Sequence, residues 1–110
     1  MKAELKLDAN GLIYSRSRPG WEPPDKSEVD ICEAFMRLCV PAKIPKVFSY
    51  GLKQKIEDAM KSYVSNGACI QAAINLGLVV KPLYDSPNAL IGLRRKPLMK
   101  IYSAFVGEKA

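Results

Sequence analysis

Residues 63–93, YVSNGACIQAAINLGLVVKPLYDSPNALIGL, decide the fold class. Ser65 or Asn66 is placed to cap a helix, because a short side-chain oxygen accepts from the free N–H groups of a first turn. The helix is expected over 67–76, with Ala68 or Cys69, Ala72 or Ala73, and Leu76 as a small-residue inner face. Gly77 is its natural left-handed stop. Residues 78–84, LVVKPLY, then read as a strand, 85–88 as a turn by composition, and 89–94, ALIGLR, as the returning strand. Pro82 has no N–H to give to a ladder, so its strand belongs at a sheet edge or a bulge.

Working outward, residues 26–39 are predicted to form a helix, capped by Asp25 or Ser27 and ended by Pro41. Val29, Cys32, Phe35, Met36 and Cys39 make its buried stripe. Residues 42–48, AKIPKVF, are expected to be extended, since Pro45 blocks a helix. A second helix is expected over 49–63, capped by Ser49, with Leu52, Ile56, Met60 and Tyr63 on one face. At the N-terminus, 3–16 read as a β-hairpin turning on Asn10-Gly11, which pairs Ala9 with Leu12, Leu7 with Tyr14 and Leu5 with Arg16. The loop 17–25 carries three prolines and Trp21, expected to plug the edge of the core. Pro97 suits the first turn of a last helix, 97–107. There Leu98, Ile101, Tyr102, Phe105 and Val106 form the best amphipathic stripe in the chain. It is expected to bury itself in cis or against a second copy.

Helix, short extended piece, helix, tight turn, helix, strand, turn, strand resembles the element order of a winged helix-turn-helix. The resemblance covers residues 26–95 and lies in topology and spacing, not in a sequence signature. The expected fold is therefore α+β: a winged-helix-like core of three helices plus a C-terminal β-hairpin, preceded by an N-terminal β-hairpin and followed by an extra amphipathic helix. All of it belongs to one domain, 1–110. The resemblance implies that the third helix enters a DNA major groove and that the 78–94 hairpin acts as the wing. Asn66, Gln71 and Asn75 are then the outward side chains, and Asn and Gln suit adenine edges. The third helix carries no Arg or Lys, however, and the wing turn carries Asp85. The competing reading is a small alanine-rich core helix covered by the hairpin.

The 110 residues hold 17 basic and 11 acidic side chains, a net charge of +6. The cations are segregated. Residues 34–56 contain Arg37, Lys43, Lys46, Lys53 and Lys55 and no acid. Residues 94–100 contain Arg94, Arg95, Lys96 and Lys100 and no acid. Two such segments can form a positive face for a phosphate backbone or for an acidic protein surface.

The chain has no histidine, which removes His-based triads and the usual zinc sites. Its three cysteines form no CxxC pair and read as buried free thiols in a reducing cytoplasm. Glu28, Asp30 and Glu33 read as partners of a helix dipole rather than as a cation site. No nucleophile elbow or phosphate loop occurs. No enzyme activity, cofactor or metal is expected. Neither a signal peptide nor a membrane-spanning run is visible.

The leading expectation is a small cytoplasmic, non-catalytic, nucleic-acid-binding regulatory protein, favouring duplex DNA over RNA. Its contacts would come from Lys43, Lys46, Lys53, Lys55, Arg94, Arg95, Lys96 and Lys100, with Asn66, Gln71 and Asn75 adding specificity. A homodimer through the last helix is part of that expectation. The alternative is a protein-binding module or inhibitor, of the kind phages and plasmids encode, acting on a host protein or nucleoprotein complex.

Overall fold

The computed structural model describes residues 5–8, 11–14, 23–83 and 86–107. In chain order the elements are β1 (Leu5–Asp8), β2 (Gly11–Tyr14), α1 (Lys26–Met36), β3 (Val47–Phe48), α2 (Ser49–Met60), α3 (Asn66–Asn75), β4 (Val80–Pro82), β5 (Ala89–Ile91) and α4 (Arg95–Val106). The fold is α+β, with four helices, a three-stranded antiparallel sheet ordered β3-β5-β4, and a separate β1-β2 hairpin.

α1, α2 and α3 enclose the core. Phe35, Leu52, Ile56, Val64, Cys69, Ala72 and Ile91 are all fully or almost fully buried in it. The alanines let α3 lie close to α1, since small side chains bring two backbones together. Ser65 caps α3, accepting from Ala68 N at 3.1 Å. The turn before it is tied down by two carboxylates. Glu28 on α1 accepts from Ser65 N at 3.0 Å, and Glu57 on α2 accepts from Val64 N at 3.3 Å. β4 is an edge strand, so Pro82 costs the sheet no ladder bond.

Several expectations are corrected. α1 stops at Met36, and Leu38 and Cys39 follow in turns bonded back to Phe35 and Met36. α2 stops at Met60 because Lys61 is left-handed, with φ 53°. Tyr63 therefore leaves the apolar stripe and is 65% exposed. Ser49 does not cap α2; it is buried, and its Oγ accepts from Ala89 N at 3.0 Å, joining α2 to β5.

The N-terminal hairpin pairs Leu5 with Tyr14, Leu7 with Leu12 and Asp8 with Gly11, a different register from the expected one. Gly11 is thus a strand residue, not a turn residue. Its φ is 127°, and a Cβ there would run into the Pro87 carbonyl and come within 2.6 Å of Asn66 Nδ2. Close approach to the β4–β5 turn accounts for the glycine. Trp21, Tyr84, Asp85 and residues 3, 4, 9, 10, 15 and 16 lie outside the described residues.

α4 begins two residues before Pro97, so Arg95 and Lys96 occupy its first turn. Its stripe packs in cis in part, with Phe105 still 41% exposed. Leu98 is buried, Ile101 and Tyr102 lie against the core, Phe105 meets Phe35 with ring centroids 5.8 Å apart, and Tyr102 donates to Asp58 at 3.0 Å. Among the described residues no helix is long and apolar enough to cross a membrane.

Candidate nucleic-acid interface

The two acid-free basic segments meet. Residues 40–42 run antiparallel to 92–94: Arg94 N donates to Val40 O at 2.8 Å and Ala42 N to Gly92 O at 2.9 Å. Gly92 is required there, because a Cβ would strike the Ala42 carbonyl. This pairing sets residues 41–46 beside the start of α4 and encloses an open groove of about 870 Å³. Lys43, Lys46, Arg94, Arg95 and Lys96 line it, with Pro41, Ile44, Leu93 and Pro97 supplying apolar wall. Arg95 also borders a smaller groove, about 210 Å³, that holds Lys55, Phe48 and Met99.

The electrostatics of this face are one-sided. Among the described residues, no carboxylate lines either groove. Nor, among them, does any ion pair involve Lys43, Lys46, Lys55, Arg94, Arg95, Lys96 or Lys100. Arg95 donates to the Lys46 carbonyl at 3.3 Å, and the Lys55 ammonium lies 5.8 Å from the Tyr102 ring centre. Arg95 and Lys96 occupy the first turn of α4, where the helix dipole already favours negative charge. Cations placed at that end repel the dipole and one another, and an arriving anion relieves both. Lys100 is exposed on α4, outside both groove linings.

Lys53 stands apart from the other cations. It is 8% exposed, bonds Glu57 at 2.9 Å, and lies 5.3 Å and 4.9 Å from the ring centres of Tyr50 and Tyr63. Burial pulls the Lys53 ammonium down, but the bond and charge of Glu57, with Tyr63 and Tyr50, outweigh this and leave it raised. This lysine is engaged within the fold.

The three α3 residues are also engaged. Asn66 is 6% exposed and donates to Pro87 O at 3.3 Å and Asn88 Oδ1 at 3.1 Å, fastening α3 to the β4–β5 turn. Gln71 donates to Asn75 at 2.8 Å, and Asn75 donates to Glu33 at 2.8 Å. Gln71 and Asn75 share a groove of about 370 Å³ with Lys26, Asp30 and Glu33, whose charges are already paired, Asp30 with Lys26 and Glu33 with Arg37.

The acidic triplet of α1 is divided. Glu28 serves the α3 turn, Asp30 pairs with Lys26 at 3.2 Å, and Glu33 pairs with Arg37 at 3.2 Å. Among the described residues no group of three possible metal ligands converges. All three thiols are free and buried. Burial pushes the Cys39 thiol up to about 11, and burial with a bond to Cys32 raises Cys69 further from reactivity.

Two features escaped the sequence reading: the carboxylate clamp on residues 64–65 and the exposure of Ile44, which is 65%. Pro41 and Pro45, bracketing Lys43-Ile44, were the available signal for the second. No known protein family, curated protein or solved structure matches this chain.

Proposed function

We propose that this is a small, non-catalytic nucleic-acid-binding regulatory protein with a winged-helix-like core, and that it holds duplex DNA through the 41–46/94–97 groove. The carrying observation is the convergence of two acid-free segments on one groove, with Lys43, Lys46, Arg94, Arg95 and Lys96 outside every ion pair of the described residues. The sheet order β3-β5-β4 and the sequence of α1, β3, α2, α3, β4 and β5 support the winged-helix-like reading. In this arrangement α3 is a supporting helix, and phosphates are the main contact. Such binding is driven by counterion release and weakens steeply as salt rises. Fluorescence anisotropy with a labelled duplex tests it: micromolar or tighter binding at low salt is expected, and no binding there overturns the proposal.

A second reading, a protein-binding module, is favoured by Phe48 and Met99. Both are 45% exposed beside Lys55 and Arg95. Under that reading Phe48→Ala with Met99→Ala abolishes capture of the partner. Under the DNA reading the pair leaves duplex affinity within a few-fold, and charge reversal at Arg94 and Arg95 removes it.

A further inference from the structure

Pro41 pairs with Leu93, and Val47 pairs with Ile91. Between these two points one strand advances six residues and the other two. Four residues, Lys43-Ile44-Pro45-Lys46, are therefore in excess of an otherwise continuous edge ladder. The bonds at Val40 and Ala42 hold one end of the excursion, and the Val47 and Phe48 pairs hold the other. Pro45 keeps it from rejoining the sheet. It carries an exposed apolar side chain, Ile44 at 65%, with a lysine before it and another two residues on, in a groove that also carries Arg94, Arg95 and Lys96.

We infer that this excursion is a wedge, with Ile44 entering a base step of duplex DNA from the minor groove while Lys43 and Lys46 hold the flanking phosphates. The inference rests on the DNA reading proposed above and adds the mode of contact. An isoleucine at the tip of a cationic loop suits a base stack because one apolar side chain is enough to part a step and kink the duplex. An anionic bilayer is the less suitable occupant, since lipid binding grows with buried apolar area and the excursion offers a single large apolar side chain. The four-residue excess also has a reason on this account, because a regular edge strand would hold residue 44 within the ladder.

The test uses the full chain and a short duplex carrying donor and acceptor dyes at its ends, with a fluorescent adenine analogue at a TA step. Wild type is expected to bind, to bend the duplex by about 20–90° and to brighten the analogue by unstacking it. Ile44→Ala is expected to bind within about tenfold of wild type but to leave the duplex straight and the analogue dark, because phosphate contacts supply most of the affinity. Ile44 is exposed, so a thermal melt should show the variant folded as wild type. Binding without bending by wild type, or equal bending by Ile44→Ala, overturns the wedge and leaves the DNA reading standing. No duplex binding by wild type overturns both, as does binding only to vesicles of anionic lipid.

Discussion

The α1–α3 edge and the 41–46/94–97 groove are both polar surfaces, but their polar groups are used differently. Along the edge, Gln71 bonds Asn75, Asn75 bonds Glu33, and Glu33 pairs with Arg37. Each group satisfies another in the same chain. In the groove, five cations face one space, and among the described residues only the Arg95 side chain bonds back to the protein, through the Lys46 carbonyl. A partner at the edge must first break bonds that already exist. A partner at the groove breaks almost none and relieves repulsion among like charges. The helix that the element order marks as a reader therefore has its polar groups already engaged, whereas most of the cations beside the broken edge strand do not.

The largest expected effect comes from reversing the groove. Arg94→Glu with Lys96→Glu should weaken duplex binding by on the order of a hundredfold at low salt, since on the proposed reading two phosphate contacts become two repulsions. Gln71→Ala with Asn75→Ala should leave it within a few-fold. Comparable losses in both would erase the distinction between the two surfaces.

Next is the clamp on the α2–α3 turn. Glu57→Ala strands the buried Lys53 ammonium and leaves Val64 N without its acceptor. It should cost about 2 kcal/mol in chemical denaturation, the range for a partly buried charge deprived of its partner. Lys53→Met should cost less, because it removes the buried charge and leaves Glu57 bonded to Val64. If Lys53→Met proves the more damaging, the lysine is held by its aromatic neighbours rather than by Glu57.

Alkaline pH gives a smaller, signed effect. The folded Cys39 thiol is held up to about 11 by burial, against an ordinary value of 9.0. The unfolded state therefore loses its proton first. The associated stability is intact below about pH 9 and is lost as pH climbs through 11. Cys39→Ala should flatten this part of the stability profile, and a profile unchanged by that substitution would show another group at work.

The smallest effect expected is Asn75→Ala alone. Asn75 is exposed, and its removal should lower stability by about 0.5–1 kcal/mol through its bonds to Gln71 and Glu33. A larger drop would mean that the edge contributes more to the fold than its exposure suggests.

Much of this fold was legible in residues 63–93. Ser65, the alanines and Gly77 write the third helix and its end, and Pro82 correctly marks an edge strand. What periodicity does not encode is which polar groups find each other across the chain. Ser49 has the composition of a cap but sits 40 residues from the β5 amide it serves. Asn66 has the composition of a base reader but is needed at the turn before β5. Asn10-Gly11 has the composition of a hairpin turn, yet Gly11 is chosen by Pro87, far along the sequence. The groove was half legible. Both cation runs stand out in the sequence, but their meeting depends on the ladder between 40–42 and 92–94. The excursion at 43–46 shows only when pairings on both sides of it are compared.

The most direct test of the central claim is the slope of log binding constant against log salt for duplex DNA, measured between about 50 and 200 mM. Wild type should give a steep negative slope. Neutralising Arg94 and Lys96 to alanine should make it shallower by about 2, near 0.9 for each phosphate left without its cation. Replacing the uncharged Gln71 and Asn75 with alanine should leave it unchanged. A slope untouched by the groove substitutions, or binding abolished by the α3 substitutions, contradicts the account.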